Sequence, residues 1–380
     1  MKKRAPNFVV KPTPSRYFTH LENGAEEMKW GPVASYGDTV PTKRFYVHNR
    51  GGAPRIDVNT WRLDVTGSGV ASPRSFSYDD LLALPAVTVR RVLDCGSNCR
   101  AFFPKIAPYK GETWLPVGSV QWHFGGVGAA EWTGARVKDV LDAAGLGRAT
   151  SAALTALDCI VSGGAEHRYS QVVPVEKLLA DDSLLVYRMN GEVLPVDHGF
   201  PVRALLSGWS GNTAVKWLGS IEVSVEPLPL SYFQKRQTIA GPDHPVPYVL
   251  TTGPVRSALE LDADMTLHSG DHVLHGRAWS GAGAIERVEV SLEKLVARDT
   301  WRPVWAPQWQ DAELLHRAEP MMWVRFEVTW EGAEPGYYRL MTRATDETGN
   351  VQPRPEDVIW NQRGIGYNGH APLGLTVLPP

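Results

Sequence analysis

The chain has 380 residues, 43% hydrophobic and 21% charged; that is long enough for two cores and close to the globular average, so no long disordered segment is expected. Lys and Arg number 39 against 41 Asp and Glu, a net charge of −2, which gives no global electrostatic basis for binding nucleic acid or an anionic membrane. The three cysteines, Cys95, Cys99 and Cys159, form neither a disulfide framework nor the paired Cys-x-x-Cys knuckles of a structural zinc site.

Met1-Lys2-Lys3-Arg4 is basic, but no apolar stretch follows it. No leader is therefore expected, and the compartment read from the sequence as it stands is cytoplasmic, or periplasmic if a leader has been removed. No apolar run approaches the roughly 18–20 residues of a membrane span. Residues 1–40 are rich in Pro, Gly and Ser and lack a period, so they are expected to lie as an arm on the surface. Phe45 to Asn49 reads as a short strand ending in a polar loop. Trp61, Leu63 and Val65 alternate with Arg62, Asp64 and Thr66, the pattern of a half-buried strand. Ser77 caps a short helix through Leu82 that stops before Pro85.

Val87-Thr88-Val89-Arg90-Arg91-Val92-Leu93 is apolar and β-branched, and Gly96, Ser97 and Asn98 break it. Cys95 thus sits where a strand gives way to a loop. A lone cysteine is more often a small buried hydrophobe. Its thiolate on a rigid strand end is also a soft ligand for a heavy metal. An aromatic, Pro-rich span with Trp114 and Trp122 follows. Gly125-Gly126-Val127-Gly128 is like a phosphate loop only superficially, because the P-loop lysine is missing. Trp132-Thr133-Gly134 leads into an amphipathic helix carrying Val137, Val140, Leu141 and Ala144, closed by Gly145. Leu154–Ile160 and Leu184–Tyr187 read as strands, with a short helix at 175–180. Asp197 to Arg203 is a turn entering the strand Ala204-Leu205-Leu206. Ile221, Val223 and Val225 alternate as another strand.

Near Pro242–Pro254 the character changes. Val324, Phe326, Val328 and Trp330 alternate with Arg325, Glu327 and Thr329, and Tyr338, Leu340, Thr342 and Ala344 repeat the pattern. Short alternating strands separated by turn signals point to an immunoglobulin-like β-sandwich. The expected organisation is an N-terminal arm at 1–40, a mixed α+β domain at 41–245 and an all-β domain at 254–380.

Taken together, these pieces resemble the sulfite oxidase family of molybdenum enzymes. The family's cysteine loop, Cys-Ala-Gly-Asn-Arg-Arg, is Cys95-Gly96-Ser97-Asn98-Cys99-Arg100 here. Its Trp-Thr-Gly is Trp132-Thr133-Gly134, its Asp-His-Gly-Phe-Pro-Val-Arg is Asp197 to Arg203, and its Val-Lys-Trp-Leu is Val215 to Leu218. In the second domain the likeness continues through Ala278-Trp279-Ser280-Gly281, Asp346 to Pro353 and Trp360 to Gly364. No single motif is strong; their order is what is specific. The resemblance implies a sulfite-oxidase-like molybdopterin-binding domain followed by a sandwich used for dimerisation. It implies a molybdenum–molybdopterin cofactor and oxygen-atom transfer, converting sulfite to sulfate.

By position, Cys95 is implied as the thiolate on molybdenum. Tyr46, His48, Asn49, Arg50, His198, Arg203, Ala214, Val215 and Lys216 are implied around the pterin and its phosphate, with the turn Gly208–Gly211 offering backbone donors. Arg50, Arg100 and Arg363 are expected to neutralise the anion, with His48, Asn98 and Trp122 shaping the pocket. The chain departs from the family at two places. The family's Phe-Val-Arg-Asn-His is Tyr46-Val47-His48-Asn49-Arg50 here, with arginine and histidine exchanged. Thr238 stands where the family has a pocket tyrosine. Asp158 is the nearest counterpart of a cofactor-contacting aspartate. His48 is expected to be partly charged near neutral pH. No haem attachment motif is present, so electrons are expected to leave to an external acceptor such as a cytochrome, and a homodimer is implied. The departures keep open a reductase of nitrate or a sulfoxide, and a non-catalytic protein that has kept the fold.

Overall fold

The computed structural model describes residues 8–105, 119–162, 164–263, 265–296, 298, 301 and 307–380. Trp114 lies outside the described residues. The N-terminal segment is not the surface arm that its missing period implies. Strands β1 (Phe18–His20) and β2 (Ala25–Met28) pair antiparallel and continue onto β3 (Val47–His48). Phe18, Ala25, Met28, Trp30, Val33 and Val40 are buried, and the Trp30 ring stacks on Trp279 of the C-terminal domain with centroids 5.9 Å apart. Strands this short, linked by 3-10 turns, leave no run long enough for a period to show.

The central domain holds two five-stranded sheets. One joins β6 (Ala86–Asp94), β7 (Val127–Arg136), β10 (Ser183–Met189), β11 (Glu192–Val193) and β12 (Arg203–Leu206). The other has the order β5-β4-β13-β8-β9, from β4 (Leu63–Thr66), β5 (Arg74–Phe76), β8 (Ser151–Ser162), β9 (Ala165–Pro174) and β13 (Leu218–Ser224). Only the β4–β13 pair in these sheets is parallel. Helix α1 (Tyr78–Leu82) opens on a reciprocal capping box: the Asp80 N–H donates to Ser77 Oγ at 3.1 Å, and the Ser77 N–H donates to Asp80 Oδ2 at 2.8 Å. Helix α2 (Val137–Ala143) buries Val137, Val140 and Leu141 between the sheets. The Trp132-Thr133-Gly134 run lies near the end of β7 and leads directly into that helix. Gly125 to Gly128 runs into β7, and its glycines let Met28, Trp122 and the Phe45 ring pack closely against it.

The C-terminal domain is a sandwich of a four-stranded and a five-stranded sheet. Val324, Phe326, Val328 and Trp330 of one sheet and Val288, Val290, Leu340 and Ala344 of the other form its core, as alternation requires. The fold is thus α+β with a β-sandwich appended.

The two domains are locked at the base of the cysteine loop. The Arg256 guanidinium, 2% exposed, pairs with the Asp94 carboxylate and donates to Tyr367 O at 2.8 Å. Trp279 Nε1 donates to Asp94 Oδ2 at 3.1 Å. Asp94 is the last residue of β6, so the strand end that presents Cys95 is fastened to the sandwich. Gly208 completes the seam. It has φ +76, and a Cβ there would stand 2.3 Å from Gly281 O. That corrects the reading of Gly208–Gly211 as a phosphate turn: Gly208 faces the sandwich domain, and only Gly211 reaches the cleft described next.

Candidate active site

Cys95 opens onto a cleft whose wall also carries His48, Arg50, Arg203 and Lys216. Its N–H donates to Gly126 O at 2.8 Å and its carbonyl accepts from Asn98 N–H at 2.8 Å, so the backbone on both sides is fixed. Burial pushes the thiol pKa up, while Arg100 and Arg50 oppose the rise. The charges around the cleft fall into two neighbourhoods. Cys95 shares one with Arg50, Arg100 and Tyr169; Lys216 shares the other with Arg203, Asp197, Asp158 and Lys11. Tyr46 and His48, both in the cleft wall, connect them: Tyr46 feels Cys95 and Arg203, and His48 feels Arg50 and Lys216.

The second neighbourhood is built by the Asp197–Lys216 segment. A 3-10 turn at Val196–His198 ends on Gly199, φ +111, where a Cβ would lie 3.0 Å from Arg203 Cβ and 3.1 Å from Lys216 Cβ. Glycine therefore lets the two cationic residues close on one another. Trp217 takes φ +49 and its Nε1 donates to Val196 O at 2.9 Å. That strained residue aims the neighbouring Lys216. Lys216 Nζ donates to His48 O and Asp197 O, each at 3.0 Å, and to Asn49 Oδ1. Arg203 donates to His198 O and Ala214 O, both at 3.1 Å, but its buried Nε has no partner among the described residues. Burial pulls Lys216 down to about 7 and Arg203 to about 10. His198 is held neutral, well below its usual range, by burial and by Lys11, Lys216 and Arg203. Asp158 lines the cleft with Oδ1 buried and unpartnered, and burial raises its carboxyl pKa.

Tyr46, His48, Arg50, Cys95, Asp158, His198, Arg203, Gly211, Ala214 and Lys216 all line the cleft; Asn49, Asn98, Arg100, Trp122, Val215, Thr238 and Arg363 do not. Val215 is fully buried in the core beneath, and its N–H goes to Thr213 O. Asn49 is fully buried too; it donates to Phe8 O at 2.7 Å and Asp197 Oδ1 at 3.1 Å, so it braces the wall from behind. Trp122 is 0% exposed and sits edge-on behind His48 and Tyr46. Asn98 accepts the Gly126 N–H at 3.0 Å and is equally buried.

The arginines divide. Arg50 is exposed at the cleft, its guanidinium 5.7 Å from the Phe233 ring centroid. Arg100 is buried and turned onto the protein: it donates to Gly364 O at 3.0 Å, Val120 O at 3.2 Å and Ser97 Oγ at 2.7 Å. Of those acceptors Ser97 lines the cleft. Arg363 stands near Arg100 but outside the lining. Thr238 donates its hydroxyl to Gln234 O at 3.1 Å and likewise stays outside. His48 is not partly charged: burial and the nearby Arg50, Lys216 and Arg100 hold it well below its usual range.

Sequence reasoning missed Tyr169, Asn212 and Gln237, which line the cleft as one network. Tyr169 donates to Asn212 O at 2.7 Å and accepts from Gln171 and Gln237, each at 3.1 Å. A phenol is therefore present, supplied by β9 and not by the position of Thr238. The alternation His167, Tyr169, Gln171 along one face of β9 was the available signal.

The residues present suit a molybdopterin-type ligand. A soft sulfur stands at one part of the cleft, and at another buried cations with an unpartnered guanidinium nitrogen and an unpartnered carboxylate oxygen. Such orphans are costly unless a ligand satisfies them.

The chain matches the family model described as an oxidoreductase molybdopterin binding domain over residues 50–232, and that of a Mo-co oxidoreductase dimerisation domain over 245–370. It is similar to mitochondrial sulfite oxidase of Rattus norvegicus, 31% identical with 90% of this chain and 62% of that protein covered. It therefore spans 62% of that relative's length. It is similar also to sulfite oxidase of Gallus gallus, 30% identical over 86% of this chain and 70% of that one. In fold it is similar to the crystal structure of the sulfane dehydrogenase SoxCD from Paracoccus pantotrophus, with TM-score 0.77 and 23% identity over 94% of this chain and 87% of that one.

Proposed function

The chain belongs to the sulfite oxidase family of molybdopterin-dependent oxidoreductases, and from that premise we propose that its cleft holds a molybdenum–molybdopterin cofactor and that it oxidises sulfite to sulfate. Overall, sulfite and one water become sulfate: the water supplies the oxygen atom and releases two protons to solvent, and the two electrons pass to an external acceptor, proposed to be a cytochrome. The observation that carries this reading is the Cys95 sulfur facing a cleft whose other charged neighbourhood is Arg203 and Lys216. When bound, the cofactor supplies oxygen-atom transfer and takes up the electrons.

The chain's own residues do the rest. Cys95 gives up its thiol proton on ligation; burial, and to a lesser degree Asp94, favours keeping that proton in the free chain. Arg203 and Lys216 hold the cofactor's anionic end, with Ala214 O fixing the guanidinium and neutral His198 beside it. Arg50 meets the incoming anion at the solvent-facing side. Arg50→Gln is expected to raise KM for sulfite roughly tenfold while lowering kcat much less, the size of one lost charge-assisted bond. Steady-state kinetics over a sulfite series checks it. Pairing of two chains through the C-terminal domain is part of the proposal.

Turnover with sulfite and an artificial electron acceptor tests the reading. No turnover with sulfite by a molybdenum-loaded protein contradicts it. A second reading, reduction of nitrate or a sulfoxide, is favoured by one observation: Arg100 is buried and turns three of its five N–H donors onto Gly364, Val120 and Ser97. That leaves Arg50 as the one arginine of the expected three that lines the cleft. A compact dianion is poorly held by so few guanidinium groups. Activity with a reduced viologen dye and those oxidants, with none toward sulfite, selects that second reading.

A further inference from the structure

Behind the cation-rich wall of the cleft runs the N-terminal segment 8–11, which lies outside both family-model matches. The Val10 N–H donates to both Asp197 carboxylate oxygens, at 3.0 and 2.9 Å, and the Lys11 N–H donates to Asp197 Oδ2 at 2.7 Å. Phe8 O accepts from Asn49, which also holds Asp197 and Lys216. Lys11 Nζ donates to Phe45 O and stands 3.3 Å from His198 Nε2. Phe45, Asp197 and His198 are themselves wall residues of the cleft.

The electrostatics give this strap a purpose. An anion approaching Arg203 and Lys216 meets two carboxylates, Asp158 and Asp197, in the same neighbourhood. Two backbone N–H groups offset the Asp197 charge, and Lys11, which burial pulls down to about 7, adds to them when protonated. Without them, a carboxylate that is 2% exposed would be left with the Asn49 amide and with the Lys216 charge that the anion itself needs. We propose that segment 8–11 is part of the cofactor site, a strap in which Lys11 acts as a positioning residue. Through Asp197 and His198 it keeps the cleft attractive to the cofactor's anionic end. The inference rests on the molybdopterin reading above.

The test is cofactor retention in the full chain, not turnover. Molybdenum per chain is measured after purification, and release is followed by the fluorescence of the freed, oxidised pterin. Lys11→Met and Val10→Pro are each expected to release cofactor about tenfold faster than the wild type, the effect of one lost bond to a charged group. Val10→Ala keeps the N–H and is expected to match the wild type, since the Val10 side chain is 65% exposed. Lys11→Arg restores the charge and is expected to recover most of the retention. Melting of the cofactor-free chains serves as the control for folding. If Lys11→Met melts early, the Val10→Pro and Val10→Ala pair decides alone, because it leaves the buried lysine in place. A loaded wild type with Lys11→Met and Val10→Pro releasing at the same rate overturns the strap and leaves the function standing. A wild type that purifies without molybdenum overturns both.

Discussion

Cys95→Ser is expected to lower sulfite turnover by at least about a thousandfold, some 4 kcal/mol of transition-state stabilisation. The side chain loses only a sulfur-for-oxygen exchange in size, at a position 9% exposed whose backbone bonds to Gly126 and Asn98 do not involve it. Folding should therefore change by less than about 1 kcal/mol. The chemistry changes much more. A serine oxygen is a hard donor that keeps its proton, whereas a thiolate is a soft anionic ligand. Arg203 and Lys216 are untouched, so the variant is expected to retain pterin. Steady-state turnover and pterin content on the same preparation check the two statements together. Turnover above about a tenth of wild type would remove Cys95 from the account, since so small a loss, about 1.4 kcal/mol, is no more than a peripheral residue gives.

The second large effect lies at the domain seam. Arg256→Met is expected to destabilise the protein by about 3–5 kcal/mol, because it strips a buried carboxylate of its ion-pair partner. Asp94 would keep the Trp279 N–H at 3.1 Å but no cation, and its Oδ1 already has no hydrogen-bond partner among the described residues. Burial raises the Asp94 pKa even with Arg256 present, a sign of how poorly this place tolerates charge. Adding Asp94→Asn to Arg256→Met removes the orphaned charge and is expected to recover a large part of the loss. Denaturant unfolding of the three proteins checks it. Equal midpoints for wild type and Arg256→Met would mean that the seam does not depend on this pair.

The parts that could be read in the sequence are those in which one local pattern decides. The apolar run ending at Cys95 and the alternation from Val324 to Trp330 each specify a strand on their own. Asp197 to Arg203 carries its own turn chemistry in Gly199. What could not be read depends on partners distant in sequence. Trp30 is buried because Trp279 covers it, and nothing near Trp30 signals that. Arg100 looks like an anion ligand beside Cys95, yet the carbonyls of Gly364 and Val120 claim its donors. The phenol lost at Thr238 is replaced from another strand by Tyr169. Lys11 joins the cation-rich wall only because the N-terminal segment folds back onto Asp197.

The central claim is that the Cys95 sulfur binds molybdenum in this cleft. Metal analysis of the purified chain together with X-ray absorption at the molybdenum edge, repeated on Cys95→Ser, addresses it most directly. The account predicts near-stoichiometric molybdenum in the wild type and one sulfur neighbour fewer around the metal in the variant. Absence of molybdenum from the wild type, or an unchanged sulfur shell in the variant, would contradict it.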